Sequence, residues 1–242
     1  NDLFRCKEPY FSSRAKGNIY DFVESYKENC EKTAGKGLMC MFSGNHDVDR
    51  LARHLHGDEL KVAFAFILSM PGAPFIYYGD EIGMRYVEGL KSVEGGYNRT
   101  GSRSPMQWDD STNAGFSSAP ASDLYIAMDP DKDRPTAKKE MAAPDSLYHE
   151  VKKLIRIRQS HKALQSRGKI TFVYAEKNAY PLAYIREDGD EKILVIINAA
   201  AEAKTFACDA EPKEAIYNFG AAAEAKNGKI TVPAQSAGFY RI

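Results

Sequence analysis

Asn45, His46 and Asp47 close a continuous apolar run, Leu38-Met39-Cys40-Met41-Phe42, and are the residues of this chain best placed for chemistry. An apolar run of that length reads as a strand buried on both faces, as in a parallel sheet. Polar groups at the C-terminal end of such a strand lie where barrels and doubly wound sheets keep their active sites. A carboxylate there stabilises positive charge, and an imidazole beside it donates a hydrogen bond to a sugar hydroxyl. The competing reading is strand-end capping, because Asn and Asp also close turns. These three residues alone leave both readings open, since polar clusters are only probabilistic pointers to function.

The elements around them follow from periodicity. Residues 18–34 predict a helix with Phe22, Tyr26 and Cys30 on one face, ended by Gly35 and Gly37. Cys40, inside the apolar run, is expected to be a buried thiol. Residues 58–70 predict a second helix, ended by Pro71-Gly72, and residues 73–78 a second buried strand that stops at Gly79-Asp80-Glu81. Strand, helix, strand in that order is a βαβ unit. Residues 88–143 form a long polar loop, and loops of that length are usually functional or disordered. Residues 146–161 predict a helix carrying Leu147, Val151, Leu154, Ile155 and Arg158 at helical spacing.

Beyond Lys169 the period changes to two. Strands are predicted at 171–174, 182–185, 193–197, 204–210, 214–219 and 229–242, with Asp188-Gly189 and Asn227-Gly228 as hairpin turns. The chain therefore divides near residue 165, and a small antiparallel sandwich follows.

Composition narrows the function classes. The 242 residues carry 33 Lys+Arg and 33 Asp+Glu, so net charge gives no reason to expect nucleic acid. No basic amphipathic stretch points to a membrane surface, and the run Val62–Met70 is too short to span a bilayer. Cys6, Cys30, Cys40 and Cys208 fit neither a metal-site spacing nor a dense disulfide framework. Free thiols and an N-terminus without a visible signal sequence lead us to expect a reducing, cytoplasmic location.

Three motifs then carry a resemblance. Phe42-Ser43-Gly44-Asn45-His46-Asp47 resembles the motif ending the seventh barrel strand of α-amylase-family glycoside hydrolases. Gly72-Ala73-Pro74-Phe75-Ile76-Tyr77-Tyr78-Gly79-Asp80-Glu81-Ile82-Gly83-Met84 is similar to the family's eighth-strand motif. Arg103-Ser104-Pro105-Met106-Gln107-Trp108, then Asn113-Ala114-Gly115-Phe116-Ser117, resembles the following loop in α-glucosidases, oligo-1,6-glucosidases and trehalose synthases. Their order and separations make the set specific from about residue 36 onward. The resemblance implies an α/β fold: the C-terminal part of a (β/α)8 TIM barrel over residues 1–165, then an all-β antiparallel sandwich over 166–242.

The same resemblance implies roles. Asp47 would stabilise an oxocarbenium-like transition state, with His46, Asn45 and Arg103 as substrate-binding residues. Arg103 has a structural alternative, a salt-bridged surface Arg. Arg50 reads as structural, and Asp80 and Glu81 as strand-end hydrogen-bond partners. Trp108, the only Trp, is either a sugar platform or loop packing. The expected partner is an α-glucan oligosaccharide cleaved at α-1,4 or α-1,6 bonds. Glucosyl transfer or isomerisation, and a non-catalytic binding module, are the alternatives. No cofactor or metal is expected, and calcium, known in some relatives, is not assignable to these residues.

A retaining glycosidase needs two carboxyl groups about 5–5.5 Å apart, a nucleophile and an acid/base. In the family these lie on earlier strands. Glu8 and Glu24 precede Asn45 but follow no buried strand, and Lys27 three residues past Glu24 makes a solvated ion pair the better reading. The segment is therefore expected to be inactive alone. It is also expected to self-associate through exposed barrel edges.

Overall fold

The computed structural model describes residues 3–242. By packing, the chain forms two units that are not consecutive in sequence. One gathers the residues up to Met41 with His54–Pro74 and Lys153–Ile242, and the other joins Phe42–Arg53 to Phe75–Lys152.

Helix α1 (Tyr20–Thr33) precedes β1 (Cys40–Phe42), and α2 (Asp58–Ser69) precedes β2 (Ala73–Phe75); both helices belong to the first unit, and the division falls within each strand, after Met41 and after Pro74. The predicted face of α1 is rotated slightly: Val23 and Tyr26 are buried, while Phe22 and Cys30 are half-buried. The predicted Glu24–Lys27 ion pair forms on its exposed side, at 2.9 Å. Helix α2 is apolar nearly all round, and only Asp58 and Lys61 escape burial. A helix of that composition belongs inside a core. Phe66 stacks near Phe11, Phe22 and Phe4, with ring centroids 5.0, 5.7 and 6.2 Å away.

The C-terminal carbonyls of α2 lack helical partners, and two buried arginines supply them. Arg158 donates to Leu68 O at 2.8 Å, Met70 O at 2.7 Å and Gly72 O at 2.8 Å. Arg186 donates to Ser69 O, and burial pushes its guanidinium down to about 10. Arg158 comes from α4 (Leu147–Ser160), whose predicted apolar positions Leu147, Val151 and Leu154 are buried.

Strands β1 and β2 pair with each other alone among the described residues. Ala73 N–H donates to Met39 O and Ser43 N–H to Phe75 O, both at 2.8 Å, so the strands run parallel. Two expectations need correction. Cys40 is exposed, not buried, and the second strand ends at Phe75, which is itself 60% exposed. A strand is buried on both faces only when neighbours and helices cover it, and these two have one neighbour each. The long segment 88–143 is also more structured than a polar loop. It contains 3-10 turns at Thr100–Ser102, Thr112–Gly115 and Ala121–Asp123, then α3 (Ala137–Ala142).

The C-terminal strands are β3 (Lys169–Tyr174), β4 (Leu182–Asp188), β5 (Glu191–Asn198), β6 (Lys204–Ala207), β7 (Ala215–Phe219), β8 (Glu224–Lys226), β9 (Lys229–Val232) and β10 (Ser236–Arg241). They form a five-stranded sheet ordered β3-β4-β5-β10-β7 and a three-stranded sheet ordered β6-β9-β8. Every recorded pairing in these sheets is antiparallel. Phe206, Ile230 and Val232 of the smaller sheet pack with Ala183, Leu194, Ile196 and Tyr240 of the larger. Alternation along each strand delivers these side chains to the shared interior. At Asn227-Gly228 both residues have positive φ, 52° and 70°, the two-residue turn predicted there.

Candidate functional site

The site is built on the two strand ends, within the second unit. Ser43 Oγ donates to Asp80 Oδ2 at 2.7 Å and accepts Tyr77 N–H at 2.9 Å. Arg50, fully buried, donates to Asp80 Oδ1 at 3.0 Å and Tyr78 O at 2.7 Å, and lies 4.8 Å from the ring centres of Tyr77 and Tyr78. A buried guanidinium needs a carboxylate and further acceptors to offset its desolvation; here Nη1 has both, while Nε and Nη2 have no hydrogen-bond partner among the described residues. Arg50 and Asp80 thus fasten the two strand ends together, the structural parts anticipated for them.

Asp47 sits on the turn so held. Asn45 Oδ1 accepts the Asp47 N–H at 2.8 Å, closing an Asx turn. That turn projects the Asp47 carboxylate outward, and its side chain is 49% exposed. Arg103 Nη2 donates to Asp47 Oδ1 at 3.0 Å, while Arg103 Nε donates to His46 O at 2.8 Å. His46 Nε2 lies 3.3 Å from Asp47 Oδ2. The structure therefore brings Asn45, His46, Asp47 and Arg103 together. Asn45 spends its side-chain oxygen on the turn.

The sequence reading missed Arg99. Its Nη1 forms an ion pair with Asp47 Oδ1 at 3.0 Å. A signal was available: Arg99 and Arg103 flank the short turn Thr100–Ser102, which brings both to one side. The turn is pinned from beneath, because buried Ser102 donates through Oγ to Val48 O at 2.7 Å. Gly101 lets the chain approach closely; a Cβ there would stand 2.3 Å from Val87 O.

A cleft of about 670 Å³ opens on the same unit, lined by Tyr78, Glu81, Arg103, Met106, Trp108 and Tyr125 among others. Trp108 is 51% exposed on its wall, so it is no core residue. Burial pushes the Glu81 carboxyl up, against backbone hydrogen bonds at Glu81 and Gly79 that pull it down. The site presents an exposed carboxylate flanked by two guanidiniums and an imidazole, beside an aromatic-walled cleft. Its carboxylate can accept hydrogen bonds from hydroxyls and stabilise developing positive charge. No group of three or more potential metal ligands occurs among the described residues.

Comparison with known proteins identifies the family. The alpha amylase catalytic domain family matches residues 7–167. The glucan 1,6-alpha-glucosidase of Streptococcus pneumoniae is 29% identical over 93% of this chain and 48% of its own length. The oligo-1,6-glucosidase of Parageobacillus thermoglucosidasius is 30% identical over 78% of this chain and 39% of its own. Among solved structures, the MutB E254Q mutant in complex with the substrate sucrose superposes with a TM-score of 0.79. It is 25% identical and covers 93% of this chain and 46% of its own. The chain thus spans about half the length, or less, of the relatives it matches.

Proposed function

Because this chain belongs to the α-amylase catalytic-domain family, we propose that it is the sugar-gripping part of a retaining glycosidase that cleaves α-glucosidic bonds. Asp47 stabilises the oxocarbenium-like transition state. His46 and Arg103 contact the hydroxyls of the glucose that carries the reacting carbon. Asn45 shapes the turn that presents them. The nucleophile and acid/base lie on a longer parent chain, outside these residues. In this reading residues 1–165 complete a barrel and residues 166–242 are its C-terminal sandwich.

The observation that carries the proposal is the bidentate hold of Arg103 on Asp47 Oδ1 and His46 O. It ties the Asp47 carboxylate to the backbone of His46 on one strand end while leaving the carboxylate half in solvent, where a sugar can reach it. An Asp47 packed into the core, or turned away from Arg103, would have removed the physical basis of the assignment.

A second reading keeps the fold and changes the reaction to glucosyl transfer or isomerisation. The likeness to MutB with sucrose bound favours keeping it. One product assay separates the two. Incubated with maltose, isomaltose and sucrose, the longer protein should release free glucose from at least one, whereas an isomerase returns a rearranged disaccharide. The 242-residue chain alone should release no glucose from an aryl α-glucoside. Turnover by that chain would contradict the proposal.

A further inference from the structure

We propose that Arg99 is a positioning residue that yields its place on Asp47 to an incoming sugar hydroxyl, and so sets the affinity of the site. This rests on the glycosidase reading above. Two guanidiniums converge on one oxygen, Asp47 Oδ1, each at 3.0 Å, while His46 Nε2 stands 3.3 Å from Oδ2. Oδ1 has two lone-pair sites and already faces two guanidiniums, so a sugar hydroxyl that donates to Oδ1 must replace one of them.

The two arginines are not equally held. Arg103 makes a second bond, from Nε to His46 O at 2.8 Å, and its side chain is 31% exposed. Arg99 is 55% exposed, and among the described residues its guanidinium reaches Asp47 alone. A two-point anchor keeps its geometry when one partner is contested, whereas an exposed single ion pair is weak and screened by salt. Arg99 is therefore the partner that leaves. Occupying Asp47 costs the substrate that exchange, and once released the Arg99 side chain swings into solvent.

The test uses the longer catalytically competent protein, an aryl α-glucoside, and the variants Arg99→Gln and Arg99→Lys. With Gln, KM should fall about two- to fivefold, the range an exposed ion pair spans, and kcat/KM should rise in step. With Lys, which keeps the charge, KM should stay near the native value. Raising the salt concentration should lower the native KM toward that of the Gln variant and leave the Gln variant flat. A structural role would move neither the salt dependence nor the Lys control. A raised KM in Arg99→Gln would make Arg99 a direct substrate contact and overturn the proposal. A fall in kcat at constant KM would make it an orienting residue with the same result. If the native protein turns over no α-glucoside, the function reading itself fails, a result distinct from both.

Discussion

Asp47 and Arg50 share one turn of chain and meet opposite demands. Arg50 is fully buried and bonded through Nη1 to Asp80 and Tyr78, so its charge serves architecture. Asp47 stays half in solvent with its charge directed at whatever enters. Glu59 shows how a buried carboxylate looks when its task is structural. Its Oε1 accepts Ser13 N–H and Ser13 Oγ at 2.7 Å and Ser12 Oγ at 3.3 Å, and its Oε2 accepts His56 N–H at 2.9 Å. Burial pushes this carboxyl up, yet the donors, led by the Ser13 backbone N–H, outweigh it and the net shift is downward. A depressed carboxylate contributes stability above its unfolded value, about 4.3, and loses it as pH falls through the folded value. Glu59→Gln should therefore cost about 1.5–3 kcal/mol at pH 7, the worth of a charged hydrogen bond. Urea unfolding should show that gap shrinking at acid pH. A gap that widens on acidification would contradict the assignment. Arg99 was missed for a related reason: an exposed loop charge leaves no periodic trace, and only its four-residue spacing from Arg103 hinted at a shared partner.

Among the elements, those with a strong period were legible. Helix α2 was read from an apolar stretch, and β4 and β5 from runs that the interior of the sandwich fills. The Asn45–Asp47 turn was placed correctly at a strand end because the apolar run stops there. Strand β8 was missed, since Glu224–Lys226 is exposed throughout and alternates nothing. Cys40 and Phe75 were misjudged because burial depends on neighbouring strands, which their own residues do not encode. Those two strands carry a further consequence. Among the described residues each pairs only with the other, and an uncovered strand edge recruits a partner. We expect the 242-residue chain to self-associate, seen as species heavier than 26.9 kDa in sedimentation at micromolar concentration. A monodisperse monomer would count against this.

At the scale of the whole molecule, the strands from Lys169 onward pack both on one another and, through β5 and β10, on α2. The sandwich closes its own core between two sheets. On the proposed reading the site supplies a transition-state stabiliser and its cationic neighbours, and the paired carboxyls that retaining hydrolysis needs belong to a longer chain. Family membership, a span of about half the relatives' length, and this chemistry fit one account: the segment contributes charge stabilisation to a reaction whose bond-making groups lie elsewhere. The most direct test is steady-state kinetics of Asp47→Asn in the longer protein. The account predicts that kcat falls on the order of 10²–10³-fold with KM little changed, because the charge matters most in the transition state. A KM that rises as steeply as kcat falls, or a kcat left intact, would show that Asp47 only binds the sugar or takes no part.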